Sequence, residues 1–507
     1  MSTRLRLREN SAVPWLLYAL FACVCLATLL VRARAKPFWH DEIYTVLHAQ
    51  LPSLGAMWSA SLDGFDLSPP LNTWLTRFVH QAAGVGPVAS RAAPIAGFLL
   101  MTLATFALLR RRTNAATALA GALLPCFTAA YRYAYEARGY GLMVGLFAVA
   151  LYAWSEAARG HRRGPHAVIL AVALAASVWN HYYGVLGFLP IGIGEAVRSV
   201  RSRRIDVAIV SALAASILAL VPLIPLAAAA RAQAHSFWSP AALSEIGPVY
   251  RFLFGSLLET PLPAAAAVLA LLVLAARRRT APEAGRHIAL HEAAAFGAAL
   301  CLPVFGILLG LGFTGVFVPR YAMAAVVGCS LVVPLAVWRA NTRGNVGELF
   351  LCGFLAVAFV RDMGPSLSTP PVLQDPYLTR PLLQRATAGP REAISASSLQ
   401  FLQYWYYSPA PQKGRLRYLA DPEEARRYMG SDTIDRGYLA LRRWTTVPIE
   451  VFDDYVAANP ELHVHEAGSG WLLRKLADQR AEREQVAAGP GERLYLVRLR
   501  HADRRTP

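Results

Sequence analysis

Apolar runs separated by short polar segments fill the first 360 or so residues of the chain. A helix needs about 20 residues to cross the hydrocarbon core of a membrane, and these runs reach or approach that length. They predict a mainly α fold, a polytopic transmembrane helix bundle. Its eleven spans are expected near residues 12–31, 91–109, 114–131, 139–157, 166–180, 183–198, 207–230, 262–276, 290–312, 321–338 and 345–361.

Two long polar segments break this pattern. The first outer loop, 32–90, contains the run Leu71–Phe78 with apolar residues at helical spacing, which predicts amphipathic helices in the membrane interface. The C-terminal segment, 362–507, alternates strand-like runs at 392–395, 416–419 and 494–497 with helical stretches at 452–459 and 471–480. We therefore predict a membrane module, 1–361, and a small extracytoplasmic α/β domain, 362–507.

Composition agrees with a membrane protein. The chain is 55% hydrophobic and 16% charged, with a mean hydropathy of +0.36, which is more apolar surface than a soluble domain can cover. The net charge of +18 could indicate a nucleic-acid partner, but most arginines lie in short clusters between apolar runs, so we expect none. All six cysteines lie inside predicted spans, and we expect no structural disulfide.

The arginine clusters predict the orientation of the spans. If the eleven spans are correct, every cluster falls on one side, which the positive-inside rule makes cytoplasmic in an inner or plasma membrane. The C-terminal domain is then outside. Arg32, Arg34 and Lys36 disagree, because they follow the first span on the outer side, where they could attract an anionic lipid headgroup. The clusters are Arg4–Arg8, Arg110–Arg112, Arg159–Arg163, Arg198–Arg204, Arg277–Arg279 and Arg339–Arg343.

Asp41 and Glu42 follow the first span on the predicted outer face, between His40 and Tyr44. A carboxylate at the membrane boundary can act as a general base if partial desolvation raises its pKa. The ordinary alternative is a solvated acid in a loop.

Two further polar turns lie on the same predicted face. Glu136 and Arg138 stand among four tyrosines in Tyr131–Tyr140, where an aromatic belt is the ordinary explanation of the tyrosines, although an arginine there suits a phosphate. His181 and Tyr182 lie in a short turn, and contact with a lipid headgroup is the alternative to a ligand site.

Arg320 completes the set at the outer mouth of the tenth span, either as an anion site or with its side chain extended to a lipid phosphate. The predicted topology would allow all these groups to converge. No metal-ligand pattern, P-loop or dinucleotide fingerprint is present, so we expect no cofactor. Asp41 with Glu42 or Glu136 is the one set of acids that a divalent cation could use.

These passages resemble the GT-C superfamily of membrane glycosyltransferases, and within it the branch of aminoarabinose transferases and protein O-mannosyltransferases. Phe38–Tyr44 resembles the acidic motif of the family's first loop, and Asp66–Leu71 with Ser90–Pro94 resembles its proline-pair motif and the start of the second span. Tyr135–Tyr140, followed by His181-Tyr182 and Pro319–Tyr321, is similar to the RgtA/B/C/D-like branch. The resemblance covers about residues 12–340 and extends only loosely to the tail.

The resemblance implies transfer of a single sugar from an undecaprenyl- or dolichyl-phosphate carrier to a hydroxyl group of a glycolipid, polysaccharide or protein, outside the cytoplasm. It implies that Asp41 is the general base of an inverting transfer. The residues expected to bind substrate are Glu42, Tyr44, Glu136, Arg138, His181, Tyr182 and Arg320.

One position departs from the family. Aminoarabinose transferases have a lysine before the proline pair, and other relatives have a histidine there, whereas this chain has Ser68. A serine cannot supply that positive charge. Arg77, Arg132, Arg138 and Arg320 are the candidates to replace it.

Two other classes of function fit a polytopic membrane protein. A transporter or flippase would place ionisable residues near the membrane midplane, often on broken helices in related halves, whereas here the charges lie at span ends and no repeat is evident. The third class is a noncatalytic assembly protein on the same scaffold.

Overall fold

The computed structural model describes residues 12–232, 237–259, 287–340 and 345–499. Helices dominate it, as the sequence predicts. From the N-terminus to residue 232 the α-helices are α1 (Val13–Ala35), α2 (His40–Ala49), α3 (Leu54–Leu62), α4 (Leu71–Ala83), α5 (Pro87–Ser90), α6 (Ala92–Arg110), α7 (Ala115–Leu123), α8 (Ala129–Ala134), α9 (Tyr140–Ala158), α10 (Arg163–Asn180), α11 (Phe188–Ser202), α12 (Val207–Leu218) and α13 (Ile224–Ala232).

Further helices follow up to residue 388. They are α14 (Ile246–Glu259), α15 (Leu290–Leu300), α16 (Leu302–Leu309), α17 (Ala325–Ala340), α18 (Val346–Met363), α19 (Pro365–Ser368) and α20 (Pro381–Ala388). Short 3₁₀ turns lie at Leu124–Phe127, Tyr182–Gly187, Val221–Leu223, Leu243–Glu245 and Pro319–Ala322, and a π turn at Gly310–Thr314.

From residue 393 onwards strands alternate with helices. In chain order they are β1 (Ala393–Ser395), α21 (Ser398–Tyr407), α22 (Ala410–Lys413), β2 (Leu416–Ala420), α23 (Pro422–Met429), α24 (Thr433–Trp444), β3 (Ile449–Val451), α25 (Phe452–Ala458), β4 (Glu461–Glu466), α26 (Leu472–Asp478), β5 (Glu482–Gly489) and β6 (Glu492–Arg498).

The strands form one sheet in the order β3-β2-β1-β4-β6-β5. The first four strands of that order are parallel, with Ile394 beside Val464, and β6 pairs antiparallel with β4 and β5. The sequence predicts three of the six strands. It misses β4 among others, although Glu461–Glu466 alternates polar and apolar residues as a half-buried strand does.

Two compact units make up the chain. The first unit contains the described residues of Met1–Ala33, Arg91–Ile224 and Ala241–Pro371. The second unit contains those of Arg34–Ser90, Pro225–Pro240 and Val372–Pro507. The first outer loop therefore belongs to the same unit as the C-terminal sheet. The division at 361/362 stays a prediction.

Within the ranges that the structure describes, four helical segments are long and apolar enough to cross a membrane. They are Val13–Ala35, Ala92–Arg110, Tyr140–Ala158 and Val207–Ala232; Leu290–Leu300 and Leu302–Thr314 together form a fifth candidate that is bent by 59°. The predicted run at 114–131 is broken into α7, a 3₁₀ turn and α8, and the run at 183–198 begins as a 3₁₀ turn. The run at 262–276 lies outside the described residues, and the count of eleven spans stays a prediction.

Small residues let α6 and α9 pack closely in the first unit. A Cβ atom built on Gly97, Gly141 or Gly145 would overlap the backbone of the facing helix. Such close approach is how helices associate where lipid provides no hydrophobic driving force. The contact fixes the N-terminal part of α9 against α6, and polar groups lie at both ends of α9.

A buried ionic network lies at the C-terminal end of α9. Arg112 donates to Glu156 at 2.8 Å and to Glu292 at 2.7 Å, and the three side chains are 7% exposed or less. Nearby, Arg198 pairs with Glu195 and Asp206, each at 2.7 Å. Glu195 also accepts a 3.1 Å hydrogen bond from the Trp154 indole, which packs in the same helix as Glu156.

The network gathers arginine clusters that are far apart in sequence. Arg112 follows α6, Arg163 begins α10 and pairs with Asp206, and Arg198 lies in the C-terminal part of α11. These three clusters therefore lie at one end of the bundle, as the loop alternation predicts. Which face of the membrane this end occupies stays a prediction.

Replacing Arg112 with methionine should destabilise the protein by about 3–5 kcal/mol. The substitution removes the buried cation that pairs with the carboxylates of Glu156 and Glu292, and these carboxylates stay buried. Arg111→Met is the matched control. Its guanidinium also pairs with Glu156, at 2.7 Å, but is 43% exposed, so the loss should stay below about 1 kcal/mol. Thermal unfolding of both variants in detergent measures the difference, and equal melting temperatures would contradict it.

Candidate functional site

Three polar turns of the first unit meet at the N-terminal end of α9. Tyr140, the first residue of that helix, accepts a 2.7 Å hydrogen bond from the Arg320 Nε. The His181 ring lies 5.2 Å from the Tyr140 ring and 4.9 Å from the Tyr321 ring, between centroids. Residues that the chain separates by up to 180 positions thus share one aromatic site.

Asn180 ties two of these turns together. Its Nδ2 donates to the Gly139 carbonyl at 2.6 Å, and its side chain is buried. Gly139 has no side chain to hold this contact apart, since an added Cβ would lie 2.9 Å from the Asn180 amide. The turn before α9 and the turn after α10 are therefore fixed to each other.

His181 is a neutral hydrogen-bond donor in this site. Its Nδ1 accepts the Tyr183 backbone N–H at 3.2 Å, so the remaining proton is on Nε2. Burial, followed by the positive charges of Arg138 and Arg320, lowers the pKa of His181 to about 3. The histidine therefore stays uncharged at every physiological pH.

Two guanidinium groups add to the effect of burial on His181. Arg138 and Arg320 each lower the pKa of His181, although they lie on different turns of the chain. Two arginines beside a neutral imidazole N–H form an arrangement that suits an anion, and phosphate above others.

Glu136 and Tyr182 are at the margins of this site. Glu136 is 3% exposed, its carbonyl accepts the Arg138 N–H at 2.7 Å, and its charge contributes, after burial, to raising the pKa of Tyr133. Tyr182 opens the 3₁₀ turn after His181 and is half-buried. Their roles in binding stay predictions.

The site lies at the opposite end of α9 from the ionic network. The helix runs 19 residues from Tyr140 to Ala158, so the two polar ends are separated by about 28 Å at 1.5 Å per residue. That separation matches the hydrocarbon thickness of a membrane.

Asp41 belongs to the second unit, in the first turn of α2. Its Oδ1 lies 3.3 Å from the His40 Nδ1, and its side chain is 26% exposed. A carboxylate in the first turn of a helix is stabilised by the helix dipole. Asp41 is thus held beside a histidine while part of it still reaches the surface of the unit.

Glu42 has the contacts of a structural residue. It is fully buried, its Oε2 accepts the Trp39 N–H at 3.3 Å, and it lies 3.5 Å from the Lys36 Nζ. The carboxylate therefore caps the start of α2 and pairs with a lysine. Its predicted contact with substrate stays a prediction.

Tyr44 is buried one turn along the same helix. Burial raises its pKa well above its ordinary value, and the charges of Tyr438 and of nearby carboxylates including Asp41 and Asp66 add to the effect. The hydroxyl stays protonated. Among the residues that the structure describes, this hydroxyl has no hydrogen-bond partner.

The proline-pair motif also lies in the second unit. Asp66 accepts the Ser68 N–H at 3.0 Å, and the Arg77 side chain donates to the carbonyls of Ala49, Leu51 and Pro52. Arg77 thus holds the turn after α2. Of the four arginines considered for the place of the missing basic residue, Arg138 and Arg320 have the surroundings of an anion site.

The sequence prediction groups these residues as one outer cluster. The structure brings Arg138, His181 and Arg320 together in the first unit and places Asp41, Glu42 and Tyr44 together in the second. Convergence of the two groups stays a prediction. Within the described ranges, no group of three or more His, Cys, Asp or Glu residues is arranged to hold a metal ion.

Two residues that contact the predicted site residues are not among those that the sequence predicts. Asn180 was not singled out, although it directly precedes His181. Tyr438 in α24 lies 6.4 Å from Tyr44 in a parallel stack and 5.5 Å from the His40 ring. No local signal marks Tyr438, since it is an ordinary tyrosine far along the chain from its partners.

His181 should make the protein lose stability as the pH falls. The unfolded chain takes up a proton near pH 6.5 and folded His181 only near pH 3, so stability is lost on moving down from pH 6.5. As the pH falls from 7.5 to 5, the free energy of unfolding should decrease by about 2 kcal/mol. The His181→Gln variant should not show this decrease. Thermal unfolding at both pH values tests this. The exposed His161, changed to Gln, should leave the wild-type pH dependence, and an unchanged dependence in His181→Gln would contradict the assignment.

Comparison with known proteins gives a match in structure alone. No protein-family model matches the chain, and no curated protein matches it in sequence. The crystal structure of ArnT from Cupriavidus metallidurans in the apo state is similar with a TM-score of 0.61 at 12% identity, and covers 96% of this chain and 98% of its own. The same protein bound to undecaprenyl phosphate gives a TM-score of 0.57 at the same identity and coverage.

The alignment extends over nearly the full length of both chains, so it includes the first outer loop and the C-terminal sheet as well as the helix bundle. The fold that the sequence motifs imply is thereby confirmed. This chain has the fold of ArnT, the GT-C fold.

Proposed function

We propose that this chain is a membrane glycosyltransferase that moves one sugar from a polyprenyl-phosphate carrier to a hydroxyl acceptor on the extracytoplasmic face. The observation that carries the proposal is the site at the N-terminal end of α9, where Arg320 donates to the Tyr140 hydroxyl at 2.7 Å and the ring of the neutral donor His181 lies 5.2 Å from the Tyr140 ring. The charges of Arg138 and Arg320 both reach His181. A similar fold that has been crystallised with undecaprenyl phosphate supports a carrier of that class.

The arginines would hold the phosphate of the donor. As the bond between the anomeric carbon and the phosphate oxygen breaks, negative charge grows on the phosphate, and two guanidinium groups stabilise it more in the transition state than before. Tyr140 supports this role because its hydroxyl fixes the Arg320 Nε. Arg138 and Arg320 would thereby supply the charge that Ser68 lacks.

Asp41 would act as the general base. The acceptor hydroxyl gives its proton to the Asp41 carboxylate while its oxygen forms a bond to the anomeric carbon, and the electron pair of the broken bond leaves with the lipid phosphate. Attack from the face opposite the leaving phosphate inverts the anomeric centre. His40, 3.3 Å away, would orient the carboxylate.

Asp41→Asn should lower the rate of sugar transfer by at least about 100-fold, because an amide cannot accept the proton. The assay is transfer from a labelled polyprenyl-phosphate sugar by the purified chain. Asp454→Asn, which changes an exposed acid of the second unit, is the control and should keep the wild-type rate. Wild-type turnover by correctly folded Asp41→Asn would remove the proposed base.

Arg138→Gln and Arg320→Gln should each weaken binding of undecaprenyl phosphate by about 10- to 100-fold, since each removes a charge-assisted hydrogen bond. Arg132→Gln is the control, because Arg132 lies six residues before Arg138, in α8, and is exposed. Its affinity should stay within about twofold of wild type. Equal affinities for all four proteins, measured by equilibrium binding in detergent, would contradict the phosphate site.

A further inference from the structure

The backbone just before Asp41 is held by two side chains of the C-terminal sheet region. The Phe38 N–H donates to the Tyr407 hydroxyl at 2.7 Å, and the Phe38 carbonyl accepts from the Gln403 Nε2 at 2.9 Å. The backbone N–H and the carbonyl of Phe38 are thus both bound by side chains of α21, which is more than 360 positions away in the chain. Phe38 itself is 2% exposed.

A second set of contacts, between aromatic rings, fixes the residues around Asp41. The ring of Tyr438, in α24, contacts the His40 ring at 5.5 Å and stacks parallel to the Tyr44 ring, with an angle of 9° between them. Tyr438 is itself fixed, because its hydroxyl donates to the Ser398 carbonyl at 2.7 Å. His40 and Tyr44, on either side of Asp41 in α2, therefore rest on one rigid tyrosine.

Gly437 shows that this contact is close. Glycine inside a helix costs about 1 kcal/mol relative to alanine, so its presence in α24 calls for a local reason. A Cβ atom at position 437 would lie 3.0 Å from the Tyr44 hydroxyl oxygen, tighter than ordinary contacts. Helix α24 therefore has a residue without a side chain at the point where Tyr44 approaches it.

A third link lies at the far end of α24. The Trp444 indole donates to the Asp63 carboxylate at 3.0 Å, so the turn after α3 is also joined to this helix. The first outer loop is thus fixed to α21 and α24 at three separate places. Packing alone would not require both polar groups of the Phe38 backbone to be bound by side chains.

We infer that helices α21 and α24 of the C-terminal segment position the general base, with Gln403, Tyr407 and Tyr438 as positioning residues for Asp41. The inference rests on the proposed function of Asp41. Loosening the Phe38 backbone lets Asp41 drift from the acceptor hydroxyl, and small errors in such alignment are costly to the rate. Binding of the sugar donor, which we assign to the first unit, does not depend on these contacts.

The direct test uses variants that remove one polar group each. Tyr407→Phe removes the acceptor of the Phe38 N–H, and Gln403→Met removes the donor to its carbonyl. Each should lower kcat by about tenfold and leave the KM for the donor within about twofold. Tyr406→Phe is the matched control, because Tyr406 contacts Phe38 through its ring, at 5.7 Å, and the ring remains.

Combination with Asp41→Asn shows whether the residues act through Asp41. In the Asp41→Asn chain, Tyr407→Phe and Gln403→Met should cause no further loss of the residual transfer rate, because residues that act as a unit are not additive. A further tenfold loss would overturn the inference, since the two side chains would then act elsewhere. Wild-type kcat in both single variants would overturn it as well.

The two proposals fail in different ways. Full activity of Asp41→Asn contradicts the proposed function, whatever the other variants do. An inactive Asp41→Asn together with fully active Tyr407→Phe and Gln403→Met contradicts the positioning role alone.

Gly437→Ala provides a second test that leaves all hydrogen bonds in place. The added methyl group should push Tyr44 and lower kcat, and Tyr44→Phe in the same chain should restore kcat to that of Tyr44→Phe alone, because the obstructing oxygen is gone. Unchanged kcat in Gly437→Ala, or a loss that Tyr44→Phe does not relieve, would count against the contact of Tyr44 with α24.

Discussion

Charged side chains cannot remain unpaired where water is absent, and this constraint orders the first unit. Charged side chains that are buried or half-buried lie at both ends of α9, about 28 Å apart by helix length. At one end Arg111 and Arg112 offset the charges of Glu156 and Glu292. At the other, burial keeps His181 neutral, and the positive charges of Arg138 and Arg320 add to that effect. The first end is a structural clamp, whereas the second binds an anion in our account.

In the second unit, packing and hydrogen bonds fix the helix turn that carries Asp41. Asp41 stands in the first turn of α2, Glu42 caps that turn from within, and Tyr438 supports the rings of His40 and Tyr44. A base in proton transfer must be aligned to within fractions of an ångström. The C-terminal segment supplies that alignment in our account, which gives the sheet and its helices a part in the chemistry.

Hydrophobic period and arginine placement are local properties, so the sequence predicts the helical character of the bundle and the shared end of Arg112, Arg163 and Arg198. Breaks within apolar runs are less visible, as at 114–131, where a 3₁₀ turn interrupts the helix without a charge to mark it. The sequence also predicts Arg138, His181 and Arg320 as substrate-binding residues, because they lie in polar turns on one predicted face, and this role stays a proposal. Tyr438, Gln403 and Tyr407 could not be found in that way, since their partners lie hundreds of positions away and their residue types are unremarkable in a helix.

The central claim is that this chain transfers a sugar from a polyprenyl-phosphate carrier to an acceptor outside the cytoplasm. Mass spectrometry of the glycans and lipids from cells that lack the chain, compared with cells in which it has been restored, tests the claim most directly. The account predicts that one sugar is missing from one class of acceptor, and that the wild-type chain restores it but Asp41→Asn does not. Identical glycans and lipids in the two kinds of cell, or full restoration by Asp41→Asn, would contradict it.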